Sequence, residues 1–317
     1  MDTRQIRAFL ATVDTGSVTR AAELLHVVQP AISRQIKLLE EDVGTRLFER
    51  SRSGMALTEA GEVLVEYSRR ALRELDKARM EIHPTSAPLA GMVHLGLLPS
   101  SCELLAANLV QALAQRYAGL QVSLSVGYTD HLAAWLEAGE LDLALLYNAE
   151  QLTHLTLEPL LKEELCLAAP AAQGLSLDQP VAVAALGERP LILPSRTHSL
   201  RGLVEHACAV AKVPFRLAAE TNALAVQRDL VVRGLGWSVL PAVAIGSELE
   251  QGMLSAAPVA RPEFARTISL ALPTTRRTSN AVRCVAEELK TCIASAVFDG
   301  RWIGAQWLQE RPQAAAA

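Results

Sequence analysis

At 317 residues the chain is longer than a single hydrophobic core usually serves, which points to two or three domains. Half of its residues are apolar and a fifth are charged, a balance that excludes a disordered chain. A net charge of −4 excludes binding of nucleic acid by overall basicity, so any such contact must come from local charge placement.

Asp2, Arg4, Arg7 and Asp14 interrupt the apolar residues of the N-terminus, unlike the core of a signal peptide. The uncharged stretch "GLGWSVLPAVAIGS" is broken by Pro241 and is too short to cross a bilayer, so a cytoplasmic location is expected. Five cysteines, an odd number without a CxxC pair, fit buried thiols in a reducing compartment better than disulfides or a zinc site.

In chain order, Ile6, Phe9, Leu10 and Val13 have helical spacing, and Gly16 stops that run. Ser17 is an N-cap for a second helix from Val18 to about His26. A third helix starts at Pro30, where the missing N–H costs nothing, runs to about Glu41 and is ended by Gly44. "RLFER", "SRSG" and "MAL" form a short hairpin with a polar turn. Thr58 caps a long helix to about Ile82 whose stripe Ala60, Leu64, Tyr67, Ala71, Leu75, Ala78 and Ile82 needs an apolar surface. That surface is either its own domain or a second copy of the helix; with no loop-borne partner nearby, the second copy is expected through Leu64, Tyr67, Ala71, Leu75 and Ala78. "HPTSAPLAG" reads as a hinge.

From Met92 onward short strand-like runs alternate with helical ones in two similar halves, which implies two α/β lobes with parallel sheets and a cleft between them. The late strand "TISLAL" and the helix Asn280 to Phe298 can cross back to complete the first lobe. The expected domains are 1–57, a linker helix 58–83, a hinge 84–91 and a sensor domain 92–298, with lobe I about 92–161 and 267–298 and lobe II about 162–266. Residues 299–317 form a C-terminal extension expected to be partly disordered.

On the third helix, Ile32, Ile36 and Leu39 face the small Ala21 and Ala22, while Gln29, Ser33 and Lys37, with Arg34 beside them, form the opposite stripe. Amide, hydroxyl, guanidinium and ammonium groups suit base edges and phosphates in a major groove, and Arg50 and Arg52 on the hairpin are placed to reach backbone or minor groove. The candidate DNA-binding set is Ser17, Gln29, Pro30, Ser33, Arg34, Lys37, Arg50 and Arg52. A polar helix face of this kind also suits a protein-binding module, and the spacing alone leaves both open.

The stretch "FLATVDTGSVTRAAELLHVVQPAISRQIKLLEEDVGTRLFERSRSGMALTEAG" resembles the N-terminal signature of the LysR-type transcriptional regulators. "ALAQRYAGLQVSL", "GELDLALLY", "RPLILPSRTHSLRGLVE" and "LVVRGLGWSVLP" resemble their effector domain. The resemblance implies a winged helix-turn-helix on operator DNA, a dimerising linker helix, a two-lobed periplasmic-binding-protein-like sensor, a homotetramer, and RNA polymerase as a partner. It also places a small-molecule effector between the lobes, at positions matching Ser100, Ser101, Thr129, Tyr147, Ser195, Arg196, His198, Thr221 and Asn222. Hydroxyls and free N–H groups at helix starts favour an anion, so a carboxylate-bearing metabolite is the expected ligand, with Arg196, His198 or Arg201 matching its charge. No other cofactor and no metal is expected.

Catalysis is not expected, since no G-x-S-x-G or G-x-G-x-x-G turn is present, and a free-standing solute-binding protein would not carry the helix-turn-helix. The peroxide-sensing branch of the family has a reactive cysteine in a His-Cys-Leu-Arg motif; here the segment is His198-Ser199-Leu200-Arg201, with Cys208 alone downstream, so thiol sensing is not expected.

Overall fold

The computed structural model describes residues 1–51, 54–82, 89–196, 198–260, 264–275 and 277–310. Two units divide the chain, Met1–Thr85 and Ser86–Ala317.

In the first unit, Asp2 caps helix α1 (Thr3–Thr15), accepting from the N–H of Arg4 and Gln5 while the Gln5 side chain returns a bond to the Asp2 N–H. Gly16 ends α1 at φ 65°, and Ser17 caps α2 (Val18–Leu24). The second helix stops two residues short of His26, which takes φ 54° and turns the chain into α3 (Gln29–Val43). Gly44 closes α3 at φ 75°. Phe9, Ala21, Ile32, Ile36, Leu39 and Leu47 make one core, joined by the Phe9–Phe48 ring pair at 5.3 Å. The hairpin pairs β1 (Phe48–Ser51) with β2 (Gly54–Leu57). The Thr58 hydroxyl accepts from the Gly61 N–H at 3.0 Å and opens α4 (Glu59–Ile82). A Cβ at Gly61 would collide with the Leu47 carbonyl oxygen, so glycine sets how closely α4 crosses this core.

The apolar stripe of α4 is divided. Ala60, Leu64, Val65 and Leu72 pack on the unit's own core, whereas Val63, Tyr67, Ala71, Leu75 and Ala78 are exposed. Leu64 therefore belongs to the domain's interior and not to the outward stripe in which the spacing alone placed it. The hinge residues 83–88 lie outside the described residues.

The second unit opens with β3 (Ala90–Leu97), α5 (Pro99–Arg116), β4 (Gly119–Val126), α6 (Thr129–Glu137) and β5 (Leu143–Tyr147), with β3 parallel to both β4 and β5. A sixteen-residue strand β6 (Leu155–Pro170) follows, then β7 (Val181–Ala182), β8 (Leu191–Leu193), α7 (Ser199–Val210), β9 (Leu217–Glu220), α8 (Leu224–Val232) and β10 (Ser238–Pro241). The chain ends with α9 (Gly246–Glu250), β11 (Leu254–Ala260), β12 (Ala265–Pro273), α10 (Asn280–Phe298) and β13 (Ala305–Trp307). The sheet is mixed where parallel sheets were expected: β12 is antiparallel to both β5 and β6, and β10 and β11 are antiparallel to β6. The reason lies in β6, which serves both lobes. Its first two-thirds pair with β12 in lobe I, and its last residues pair with β10 and β11 in lobe II. A register shift opposite Ile268/Ser269, where Leu160 is left without a partner on β12, marks a bulge inside the lobe I half.

One core joins β3–β5, α5, α6, β12 and α10; two others, one on either face of the lobe II strands, gather around Leu167 and Trp237 and around Leu240 and Ile245. In the extension, Trp302 is buried in the lobe I core and β13 pairs with β6 from Glu163 to Leu161, so 299–310 are part of the fold; residues 311–317, with the tail expected to be disordered, lie outside the described residues. Among the described residues no helix is long and apolar enough to cross a membrane.

Candidate functional site

The outward face of α3 carries Gln29, Pro30, Ser33, Arg34 and Lys37, all exposed. Gln29 donates to the Ser33 hydroxyl at 3.3 Å, and Lys37 lies 3.7 Å from Glu41, so the face is ordered yet open to a partner. Ser17 is spent on the cap of α2. Arg50 lies on β1, its side chain outside the described residues, as is the whole of Arg52. The arrangement is a helix-turn-helix followed by a two-stranded wing, which can set α3 into a major groove.

In the second unit, a cavity of about 30 Å³ lies between the lobes, walled by Ser100, Tyr128, Tyr147, His198, Gln227 and Arg266 among others. Tyr147 closes β5 on the lobe I side; His198 caps α7 on the lobe II side. The Leu200 N–H donates to His198 Nδ1 at 3.1 Å, which leaves the ring proton on Nε2 to donate to the Tyr147 hydroxyl at 3.0 Å. Arg266, at the start of β12, stacks its guanidinium 4.7 Å from the centre of the Tyr147 ring. Its Nη2 donates to the Ser100 hydroxyl at 2.8 Å and its Nε to Glu163 at 2.6 Å. Trp302 donates to the other oxygen of the same carboxylate at 2.8 Å. The Tyr128 hydroxyl reaches across to the Asn222 carbonyl at 2.6 Å, and its ring meets His198 edge-on at 4.4 Å. Behind Tyr128 a wider, open pocket of about 620 Å³ is lined by Val126, His131, Trp135 and Leu224.

Burial and the nearby Arg266 charge push the His198 imidazole down to about 4. It is therefore a neutral hydrogen-bonding group near neutral pH. In the unfolded chain the same ring titrates at about 6.5, so below that pH the unfolded state takes up a proton that the folded site refuses, and stability falls by up to about 3 kcal/mol as pH drops through about 4. His198→Asn keeps an acceptor for the helix cap and has no proton to gain. Its urea-unfolding free energy should decline less than that of the wild type between pH 7 and pH 4; parallel declines would place the acid sensitivity elsewhere.

The predicted effector residues divide into groups. Ser100, Tyr147 and His198 meet at the cavity. Ser101 does not cap its helix and does not face the cleft: Pro99 and Ser100 precede it within α5, and its hydroxyl is buried against the Leu98 carbonyl at 3.3 Å. The Thr129 hydroxyl accepts from the Tyr147 N–H at 3.1 Å and so fixes the end of β5. Ser195 and Asn222 bond each other twice, at 2.9 and 3.0 Å, joining two loops of lobe II. Thr221 accepts from the Ala223 N–H, and Arg196 is exposed, 3.6 Å from Glu205. Arg201 turns away from the cavity to Glu205, the Pro194 carbonyl and the Phe215 ring.

Sequence reasoning missed Arg266, Glu163, Tyr128 and Trp302. One of them had a signal: Arg266 is a charge beside the largely apolar run 268–272 and must find a partner, which Glu163 supplies from the neighbouring strand. Cys208 is buried and burial raises its thiol, while Ser199 stands at the start of α7. Neither supplies a thiolate.

A helix-turn-helix with a wing, joined in one chain to a two-lobed domain with an inter-lobe cavity, defines a ligand-responsive DNA-binding regulator. Residues 3–62 match the family model of the bacterial regulatory helix-turn-helix proteins of the lysR family, and residues 86–292 match the LysR substrate binding domain. The chain belongs to the LysR family of transcriptional regulators. It is 30% identical to the HTH-type transcriptional regulator BbuR of Bordetella bronchiseptica over 96% of this chain and 94% of that one. Its fold is similar to that of a full-length OxyR variant from Pseudomonas aeruginosa (26% identity, TM-score 0.69, covering 98% and 99% of the two chains). It is also similar to CbnR in complex with its target DNA (22% identity, TM-score 0.69, covering 92% and 100%).

Proposed function

We propose that this regulator works in the cytoplasm as a homotetramer paired through α4, reads operator DNA with Gln29, Pro30, Ser33, Arg34 and Lys37, and acts together with RNA polymerase. Its effector is a small carboxylate-bearing metabolite held by Ser100, Tyr147, His198 and Arg266. The observation that carries this reading is the convergence of those four side chains, from both lobes, on one cavity. Arg266 supplies the charge match, and the Tyr147 hydroxyl, which accepts from His198, keeps its own proton to donate. The cavity, about 30 Å³ and partly open, is far smaller than the few hundred Å³ of a usual metabolite site. A metabolite therefore selects an opened arrangement of the lobes, and its preference for that arrangement limits how far it can shift the protein. A hydrolytic reading finds less support, because His198 spends one nitrogen on a helix cap and the other on Tyr147.

A thermal-shift screen of the purified chain against mono- and dicarboxylates tests the proposal. A true effector at ~100 times its dissociation constant adds about 2.7 kcal/mol of stability. Tyr147→Phe should leave the fold intact and weaken the hit by about tenfold, since it removes one hydrogen bond to a charged group. A carboxylate hit indifferent to Tyr147→Phe and to Ser100→Ala would move the site elsewhere, and a screen answered only by uncharged compounds would overturn the ligand class.

A further inference from the structure

Val28 occupies the N-cap of α3 and makes no side-chain cap bond, although the N-caps of α1 and α2 both do. Serine, threonine, aspartate and asparagine are the preferred residues at a helix N-cap, and valine is among the poorest. Here Pro30 has no N–H and the Ala31 N–H bonds the Val28 carbonyl at 2.9 Å, so the helix start does not need a polar cap and the side chain is left for another use. Val28 is also 71% exposed, so it is not kept for the domain's own core. Leu24 and Val27 are exposed as well, which places three large apolar side chains within five residues of the helix-turn-helix bend. Clustered exposed apolar groups on a folded domain mark a surface that something else covers.

The position says what covers it. In a helix-turn-helix the N-terminal residues of the second helix approach base edges, and the exposed polar stripe continues directly from Val28 through Gln29 and Ser33. In the major groove the apolar feature of a base pair is the C5-methyl group of thymine, and short apolar side chains read it. We propose that Val28, flanked by Val27, is a specificity-determining residue that packs on a thymine methyl in each half-site. With Pro30 at the second helical position and the Ala31 N–H already bonded, an apolar side chain can stand here at little cost to the helix. This inference rests on the outward face of α3 being the DNA-reading face.

The test uses the full chain and no added effector. Duplexes are first selected from a randomised library, and in the best of them each thymine is replaced in turn by deoxyuridine, which deletes the methyl and nothing else. One thymine per half-site should stand out, its replacement weakening wild-type binding by about fourfold, the worth of one buried methyl group. Val28→Ser places a residue favoured at helix N-caps and removes both methyls, so it should fold and bind with a flat response at that thymine. Val28→Thr keeps the β-branched shape and one methyl, so it should retain the response. Salt dependence should be the same in all three, because no phosphate contact changes. Enriched duplexes that show no deoxyuridine penalty, or the same penalty in Val28→Ser as in the wild type, would overturn the assignment to Val28 alone. Failure to enrich any duplex would overturn the reading of the α3 face on which it rests.

Discussion

Replacing Arg266 by methionine is expected to cost the effector-binding unit about 3–5 kcal/mol of stability, among the largest losses for any single substitution in it. The cause is the partner left behind. Glu163 is 0% exposed and the Arg266 side chain 7%, with their atoms 2.6 Å apart, so the methionine would strand a carboxylate with only the Trp302 N–H to answer it. Burying the pair yields little net stability, because desolvation offsets most of the attraction; breaking it exposes the whole cost. Adding Glu163→Gln to Arg266→Met should therefore recover most of the loss, since a neutral amide can still accept from Trp302. Equilibrium urea unfolding of the single and double variants measures this. A single variant that loses less than about 1 kcal/mol, as an exposed pair would, contradicts the account.

Tyr67→Glu combined with Ala71→Glu should separate the chains without unfolding them. Tyr67 is 61% exposed, and Ala71, Leu75 and Ala78 are exposed along the same helix, so the charges would enter no core of the chain's own. Across a seam between two copies they would oppose like charges, which costs several kcal/mol and weakens association by at least about a hundredfold. Leu64→Glu should behave differently: that residue packs on the core of α1–α3, and its charge should unfold the domain. Light scattering beside circular dichroism separates the two. A double variant that keeps the wild-type mass would deny α4 a role in pairing.

The helices of the first unit were legible because their ends carry local chemistry. Gly16 and Gly44 take left-handed angles, Ser17 and Thr58 cap, and the Ile32, Ile36 and Leu39 spacing leaves one buried face. Asn280–Phe298 was read to the residue, for it is a long amphipathic helix behind a serine cap. The strand β6 was not legible. Glu158, Pro159, Lys162, Glu163 and Glu164 break any alternation, and their partners lie about a hundred residues or more away in Arg266 and Lys290 and beyond the family pattern in Trp302 and β13. The same distance explains the partial reading of the cavity. Ser100, Tyr147 and His198 stand at element ends, where α/β folds place ligands, whereas Arg266 enters from a strand whose pairing no local pattern could reveal. Ser101 shows the opposite error, since a serine next to a helix start looks like a cap until Pro99 is seen to open that helix two residues earlier.

Because β6 belongs to both lobes, one crossover between them is a continuous strand and not a loop. Parting the lobes flexes a leaf whose two halves stay bonded to β12 on one side and to β10 and β11 on the other. The bulge at Leu160 lies inside the lobe I half, so the segment between the two sets of partners, Glu164 to Leu165, is itself unbroken strand. A ligand that parts the lobes therefore has to bend this strand as well as break the contacts that line the cavity.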